Sequence, residues 1–243
     1  MLDNPAWSAL TTTQASFAQG TDLAKRYTKG ILPFIACKTD RQGIPADALE
    51  ELDPFIEPGE SFYFIGRLPV LPRGWTHESE LPCAQMILSG PIPTPTGTPA
   101  IEPLGASNAE EMFDLVHRVQ PGYYNLETHL LGSYFGIRQQ GRLVAIAGER
   151  MRLATSRGQM RHPAPDTPPR TGYSELSAIC TDPAYTGRGY AHSLIAYLSQ
   201  MHARAGVISY LHVALTNKRA IRLYEHLGFR HRREISFWRC RKH

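Results

Sequence analysis

The strongest constraint on this chain is a junction between Cys180 and His192, where a β-pattern gives way to a helical one. The strand-like run ends at Thr181. Past two glycines, Leu194, Leu198, Met201 and Ala205 recur at spacings of 4, 3 and 4, the mark of one helix face. Gly187 and Gly189 carry no Cβ, so their backbone can approach a ligand closely. The first N–H groups of a helix lack internal partners and sit at the positive end of its dipole, which suits an anion. A plain strand-to-helix turn would use the same glycines, so the junction alone says only that an anion fits. No Lys follows the second Gly, which sets a Walker loop aside. His192 stands where a dinucleotide fingerprint needs its third small residue. From Pro183 to Tyr224 there is no Asp or Glu in 42 residues, while Arg188, Arg204, Lys218, Arg219 and Arg222 all fall there. A nicotinamide ribose needs a carboxylate in that stretch; a polyphosphorylated ligand gains from its absence.

Around the junction the patterns predict an α/β (α+β) fold, with a mixed, mostly antiparallel central sheet flanked by helices. The expected order is a strand at 100–104, a helix from Asn108 to His117 and a shorter helix from Asn125 to Leu131. Strands Ser133 to Arg138 and Arg142 to Leu153 follow, joined by a hairpin turn at Gln139-Gln140-Gly141. Next come a strand from Tyr173 to Thr181, a helix from Arg188 to Arg204, a strand from Val207 to Ala214, a helix from Lys218 to Leu227 and a strand from Arg233 to Arg239. A proline-rich stretch from Thr155 to Gly172 reads as a long loop. A second, from Ser89 to Pro99, reads as a boundary. It divides an N-terminal α/β accessory region (1–90) and a linker (91–99) from a main domain (100–243). The accessory region predicts helices at Asn4-Pro5 onward and at Pro45 to Leu52, with strands at Ile31 to Cys37, Ser61 to Leu68 and Cys83 to Leu88. No internal repeat is visible.

Composition narrows the class. At 42% hydrophobic and 20% charged, the 243 residues suit a globular chain. No run of 18 apolar residues exists and no leader pattern opens the chain, so neither a membrane partner nor export is expected. Cys37, Cys83, Cys180 and Cys240 fit no zinc or disulfide spacing, and reduced thiols in the cytoplasm are the expectation. The histidines show no paired spacing, so no metal is expected. A net charge of +4 gives little support to nucleic-acid binding through the basic loop Arg152 to Arg170.

Arg188-Gly189-Tyr190-Ala191 after a strand resembles the cofactor loop of the GNAT superfamily of N-acyltransferases, written Q/R-x-x-G-x-G/A. Glu175 to Thr181 resembles that family's fourth strand. Asn217 to Phe229 resembles its later N-x-x-A-x-x-L-Y-E-x-x-G-F helix. With Gly141 to Ala145 and Ala147 to Arg150, the likeness runs over about 145 residues in family order, nearest the branch of glycine N-acyltransferase-like proteins. Thr186 stands where the family has Arg or Gln, which removes one side-chain contact to phosphate.

The resemblance implies an acyl-CoA-dependent N-acyltransferase, with acetyl-CoA or a longer acyl-CoA as co-substrate and a small-molecule or peptide amine as acceptor. Direct transfer would need a base for the ammonium, an acid for the thiolate and donors for the oxyanion. Glu175 is the candidate base: sharing a strand face with Ser177, Ile179 and Thr181, it would be partly desolvated and its pKa raised. Glu149 is the alternative base or a binder of the substrate's ammonium. Tyr224 is the candidate acid, although Ala220, Leu223, Tyr224 and Leu227 also form an ordinary core stripe. Gly187, Arg188, Gly189, Tyr190, Ala191 and His192 would hold the pyrophosphate. Ile179 and Thr181 would pair with the pantetheine arm, Cys180 between them would face the other way as a buried thiol, and Asn217 would cap its helix and meet the arm. The rival reading is a non-catalytic acyl-CoA sensor. The accessory region could be a degenerate acyltransferase half, a substrate lid or a homodimer contact.

Overall fold

The computed structural model describes residues 1–39, 43–45, 47–94, 99–154 and 172–243. The expected loop at 155–172 therefore lies almost wholly outside the described residues. Eleven strands form a single mixed sheet. In chain order they are β1 (Ala18–Gly20), β2 (Ala24–Tyr27), β3 (Phe34–Cys37), β4 (Ser61–Ile65), β5 (Trp75–Leu88), β6 (Ile101–Leu104), β7 (Tyr134–Gln139), β8 (Arg142–Ala154), β9 (Gly172–Thr181), β10 (Val207–Ala214) and β11 (Phe229–Lys242). Four helices flank them: α1 (Pro5–Leu10), α2 (Ala109–Val119), α3 (Tyr190–Arg204) and α4 (Lys218–His226).

Local chemistry accounts for these elements. Pro5 opens α1, and the Asn4 side chain accepts from the Trp7 N–H. Helix α2 carries Glu110 and Glu111 in its first turn and His117 and Arg118 in its last, matching its dipole, and buries Met112, Leu115 and Val116. Asn217 caps α4 by accepting from Ala220 N–H at 3.1 Å. The hairpin from β7 to β8 turns through Gln140 (φ 52°) and Gly141 (φ 79°), both left-handed, as a two-residue hairpin requires.

Three expectations change. Pro45 to Leu52 is not a helix: residues 47–52 are turns followed by a 3₁₀ turn at Asp53–Phe55, and Pro54 stops any continuation. Asn125 to Leu131 contributes only a 3₁₀ turn at Thr128–Leu131. The sheet also runs across the expected boundary. Its order is β1-β2-β3-β4-β11-β5-β10-β9-β8-β7-β6, so β5 from before the proline-rich stretch pairs with β10, and β11 pairs with β4.

That order contains a repeat invisible in the sequence. In the C-terminal half, β7, β8 and β9 are antiparallel neighbours and β9 runs parallel to β10. In the N-terminal half, β1, β2 and β3 are antiparallel neighbours and β3 runs parallel to β4. Each half then receives its next antiparallel strand from the other: β5 lies beside β10 and β11 beside β4. The two exchanged strands pair with each other in the centre. Helices α3 and α4 pack on one face with Leu176, Val213 and Phe229, while α2 packs on the opposite face with Ile146 and Cys180.

Candidate functional site

Strands β9 and β10 pair in parallel from Val207↔Gly172 to Tyr210↔Glu175 and no further. Beyond that point β9 continues through Leu176–Thr181 and β10 through Leu211–Ala214 as they part. A cleft of about 170 Å³ opens between them, lined by Ser177, Ala178 and Ile179 on one side and by Val213, Asn217 and Tyr224 on the other. In β9, Ala178 has φ 51° and the pairing with β8 slips between Ile146↔Cys180 and Gly148↔Ser177, which marks a bulge.

The bulge revises the expected strand faces. Before it, Glu175 lies on the α1/α2 face with Arg150, and Leu176 on the α3 face. After it, Cys180 packs with Met112 and Leu115 of α2, while Ile179 packs in the α3/α4 cluster. Cys180 therefore faces the same side as Glu175, opposite to the strict two-residue alternation. Its thiol is buried and pushed up to about 12 by desolvation, so it is no nucleophile.

At the mouth of the cleft, Asp182 Oδ1 accepts from Ala184 N–H (3.0 Å) and Oδ2 from Arg142 Nη2 (2.8 Å), fixing the exit from β9. Gly187 (φ 81°) and Gly189 (φ 75°) adopt the left-handed turns that bring the chain into α3. No side chain caps that helix; its first rung is Ser193 N–H to Gly189 C=O at 3.0 Å. A Cβ built at Gly187 would meet nothing within 4 Å, so conformation and not crowding demands glycine there. Arg188 lies over the Tyr185 ring at 4.8 Å, and the loop from Gly187 to Gly189 is exposed. The arrangement brings an uncapped helix start to the end of an open inter-strand slot. His192 sits in the first turn of α3, its pKa lowered by burial and by nearby His226.

Tyr224 lines the cleft from α4, and no side chain or backbone group among the described residues hydrogen-bonds its hydroxyl. Burial pushes it up to about 12, so it is protonated at neutral pH. Asn217 lines the same wall with its Oδ1 committed to the α4 cap.

The two expected carboxylates lie elsewhere. Glu175 is fully buried, with Oε2 accepting from Arg150 Nε (2.9 Å) and Oε1 from Arg150 Nη2 (2.5 Å) and His212 Nδ1 (2.7 Å). Burial alone would raise its pKa, but the Arg150 charge and these bonds overcome it and hold Glu175 at about 2. The shift expected of a base thus has the opposite sign. Glu149 points to the α3 side, accepting from Ser133 N–H (2.8 Å), Ser174 Oγ (2.6 Å) and His202 Nε2 (3.0 Å). Desolvation raises its pKa, yet the His202, Ser174 and Ser133 bonds leave it at about 2. It does not line the cleft, so it binds no acceptor there.

Sequence reasoning missed Arg150 and His212, which do line the cleft beside Tyr123 and Cys83. The signal was present: Glu149 and Arg150 are adjacent charges inside an apolar strand, so one must be buried on each face. A larger cavity of about 610 Å³ occupies the corresponding parting of β3 and β4, lined by Ile35, Cys37 and Phe64. There Asn4 Nδ2 donates to Cys37 C=O at 2.8 Å, and residues 47–52 form turns in place of a helix start. The smaller cleft is the one lined by the candidate residues Ile179, Asn217 and Tyr224. Among the described residues no group of His, Cys, Asp and Glu could hold a metal, and no helix is long and apolar enough to cross a membrane.

Comparison with known proteins bears on the same region. Residues 168–238 match the family model described as FR47-like protein. A solved structure from Novosphingobium aromaticivorans, assigned to the GNAT family of acetyltransferases, is 33% identical, with 100% of this chain and 98% of that one covered at a TM-score of 0.80. A GCN5-related N-acetyltransferase from Kribbella flavida is 14% identical over 99% of this chain and 94% of its own, at 0.61. A Drosophila protein is 16% identical over 90% and 73%, at 0.58. At such identities the last two show a shared fold. The curated proteins contain no match to the chain.

Proposed function

The chain belongs to the GNAT family of N-acetyltransferases, and from that premise we propose that it moves an acetyl or longer acyl group from acyl-coenzyme A to a primary amine by direct transfer within a ternary complex. The observation that carries this reading is the parting of β9 from β10 beyond Tyr210↔Glu175, with a bulge on one side and an unengaged Tyr224 hydroxyl on the other.

Acetyl-CoA is the family's co-substrate, and the residues present fit it. Backbone N–H groups of Arg188, Gly189, Ala191 and His192 receive the pyrophosphate at the positive end of α3. The pantetheine arm lies in the slot as an added strand against Ile179 and Thr181, with Asn217 opposite. The left-handed Ala178 turns the β9 backbone at the bulge, where an N–H near Ile179 supports the oxyanion as the amine nitrogen attacks. The C–N bond forms, the C–S bond breaks, the surplus proton on nitrogen passes to water, and Tyr224 gives its proton to the departing thiolate and recovers one from solvent. Glu175 is assigned to holding Arg150 and His212 in place and not to proton transfer. Placement in the glycine N-acyltransferase-like branch rests on sequence resemblance alone; the structures compared carry no such name.

Thiol release measured over several acyl-CoA species and a broad amine panel tests the reading. Turnover with at least one amine is expected, and Tyr224→Phe should lower kcat by about 10²-fold or more. Tight coenzyme A binding without release from any amine would move the protein to the sensor class.

A further inference from the structure

Resting on the acyl-transfer reading above, we infer that the acceptor end of the cleft is built for a weakly basic, uncharged amine on a flat apolar frame, the arylamine class, and not for an alkylammonium ion. Three observations carry it, and none involves the coenzyme A loop.

The first is the charge inventory. The ionisable groups lining the cleft are Arg150 from β8, His212 from β10, Cys83 from β5, Tyr123 and Tyr124 from the segment after α2, and Tyr224 from α4. The carboxylate behind them, Glu175 of β9, has both oxygens committed to Arg150 and His212. Among the described lining residues there is no other carboxylate. An ammonium entering here would lose its water, meet the Arg150 guanidinium, and find no opposite charge to offset the desolvation.

The second is the state of His212. Gln85 Oε1 accepts from Arg232 Nη1 (2.8 Å), which fixes the amide so that Nε2 donates, both to Leu2 C=O (2.8 Å) and to His212 Nε2 (2.9 Å). His212 Nε2 is therefore the acceptor, and Nδ1 carries the proton given to Glu175. Neither ring nitrogen has a lone pair free for a substrate proton. Burial pushes Cys83, Tyr123 and Tyr224 each up to about 12, so they hold their protons at neutral pH. An alkylammonium would have nowhere to leave its proton. An amine whose conjugate acid lies well below neutrality arrives with its lone pair free.

The third is the wall. Tyr123 lies 4.8 Å from Tyr63, 6.0 Å from Phe237 and 6.5 Å from Phe34, ring centre to ring centre. Arg150 already covers Phe34 at 5.0 Å and Phe237 at 5.8 Å, so a fixed cation occupies those rings. The half-buried Tyr123 is left to stack a flat frame. In this reaction the nitrogen lone pair attacks the thioester carbon. The C–S bond breaks, the surplus proton on nitrogen passes to water, and Tyr224 protonates the thiolate.

The test compares aniline with benzylamine, near-equal in shape but uncharged and cationic, respectively, at neutral pH. Thiol release with acetyl-CoA and equilibrium binding to the coenzyme A-bound protein are both measured from pH 6 to 9. For aniline, kcat/KM should be level across that range and at least ~10-fold above benzylamine at pH 7. For benzylamine it should rise about tenfold per pH unit, with the amine alone setting the slope. Tighter binding or faster turnover of benzylamine at pH 7, or a titration near pH 7 in the aniline profile, overturns the inference and leaves acyl transfer standing. Turnover of other alkylamines with neither probe accepted does the same. No thiol release from any amine removes the transfer reading itself.

Discussion

Replacing Glu175 by Gln separates a catalytic carboxylate from a structural one. In the structure this side chain is fully buried and takes three hydrogen bonds, two from Arg150 and one from His212. Glutamine keeps the shape but removes the charge that balances a guanidinium exposed by only 8% of its side chain. Removing one partner of such a pair typically costs about 3–5 kcal/mol, because the remaining ion is left buried and unpaired. For a domain of this size that corresponds to a Tm lower by about 10 °C. Urea unfolding at pH 7 measures the loss, and thiol release per folded molecule, below the onset of unfolding, measures the chemistry. The expected pattern is a large drop in midpoint with kcat within a few-fold of wild type. A Glu175→Gln protein of wild-type stability that had lost 10²-fold or more in kcat would refute the reasoning, since that is the signature of a general base.

Other perturbations reach different parts of the fold. Gly189→Val places a β-branched residue at φ 75°, at a strain of about 1–2 kcal/mol, and should weaken coenzyme A binding by calorimetry at least ~10-fold with only a small change in Tm. Acid should unfold the chain through its two buried carboxylates. Glu175 and Glu149 sit near 2 when folded against an ordinary 4.5, so their stabilisation is complete above pH 4.5 and fades as pH falls toward 2. Together they account for on the order of 5 kcal/mol, and unfolding near pH 3.5 should take up about two protons; a flat stability down to pH 3 would contradict both assignments. A fragment comprising residues 99–243 lacks β5, which separates β10 from β11, so it should give a collapsed circular dichroism and fluorescence signature, not a cooperative unfolding transition.

Much of the C-terminal half was legible because its signals are local. Helix α4 announces itself through Asn217 at its cap and Gly228 just past its end, and the β7–β8 turn through a single Gly. Pro45 to Leu52 misled because its apolar residues have helical spacing, yet Ala48, Leu49 and Leu52 are buried by successive turns. At the site, the proposed cofactor segment could be read because two glycines and a helix start mark it locally. The roles of Glu175 and Glu149 could not. Each depends on partners 16 or more residues away, and a carboxylate's pKa turns on whether such partners arrive. The bulge at Ala178 reverses the strand's faces without any mark in the residues around it. The repeat is hidden because it lies in the strand order, and residues 47–52 after β3 form turns where β9 is followed by a helix.

The crossed central strands also govern when this protein can become itself. During synthesis β4 emerges about 175 residues before the β11 segment that pairs with its edge in the completed sheet. Throughout that interval the nascent N-terminal half presents an uncovered β-edge, with Phe62 and Phe64 among its side chains, in the conditions under which unpaired strands find wrong partners. The loop to be closed is long, and non-local pairings of this kind fold slowly. Folding is therefore held back until translation has passed residue 242. Chaperone supply and translation speed, more than the intrinsic stability of either half, should set how much native protein a cell obtains.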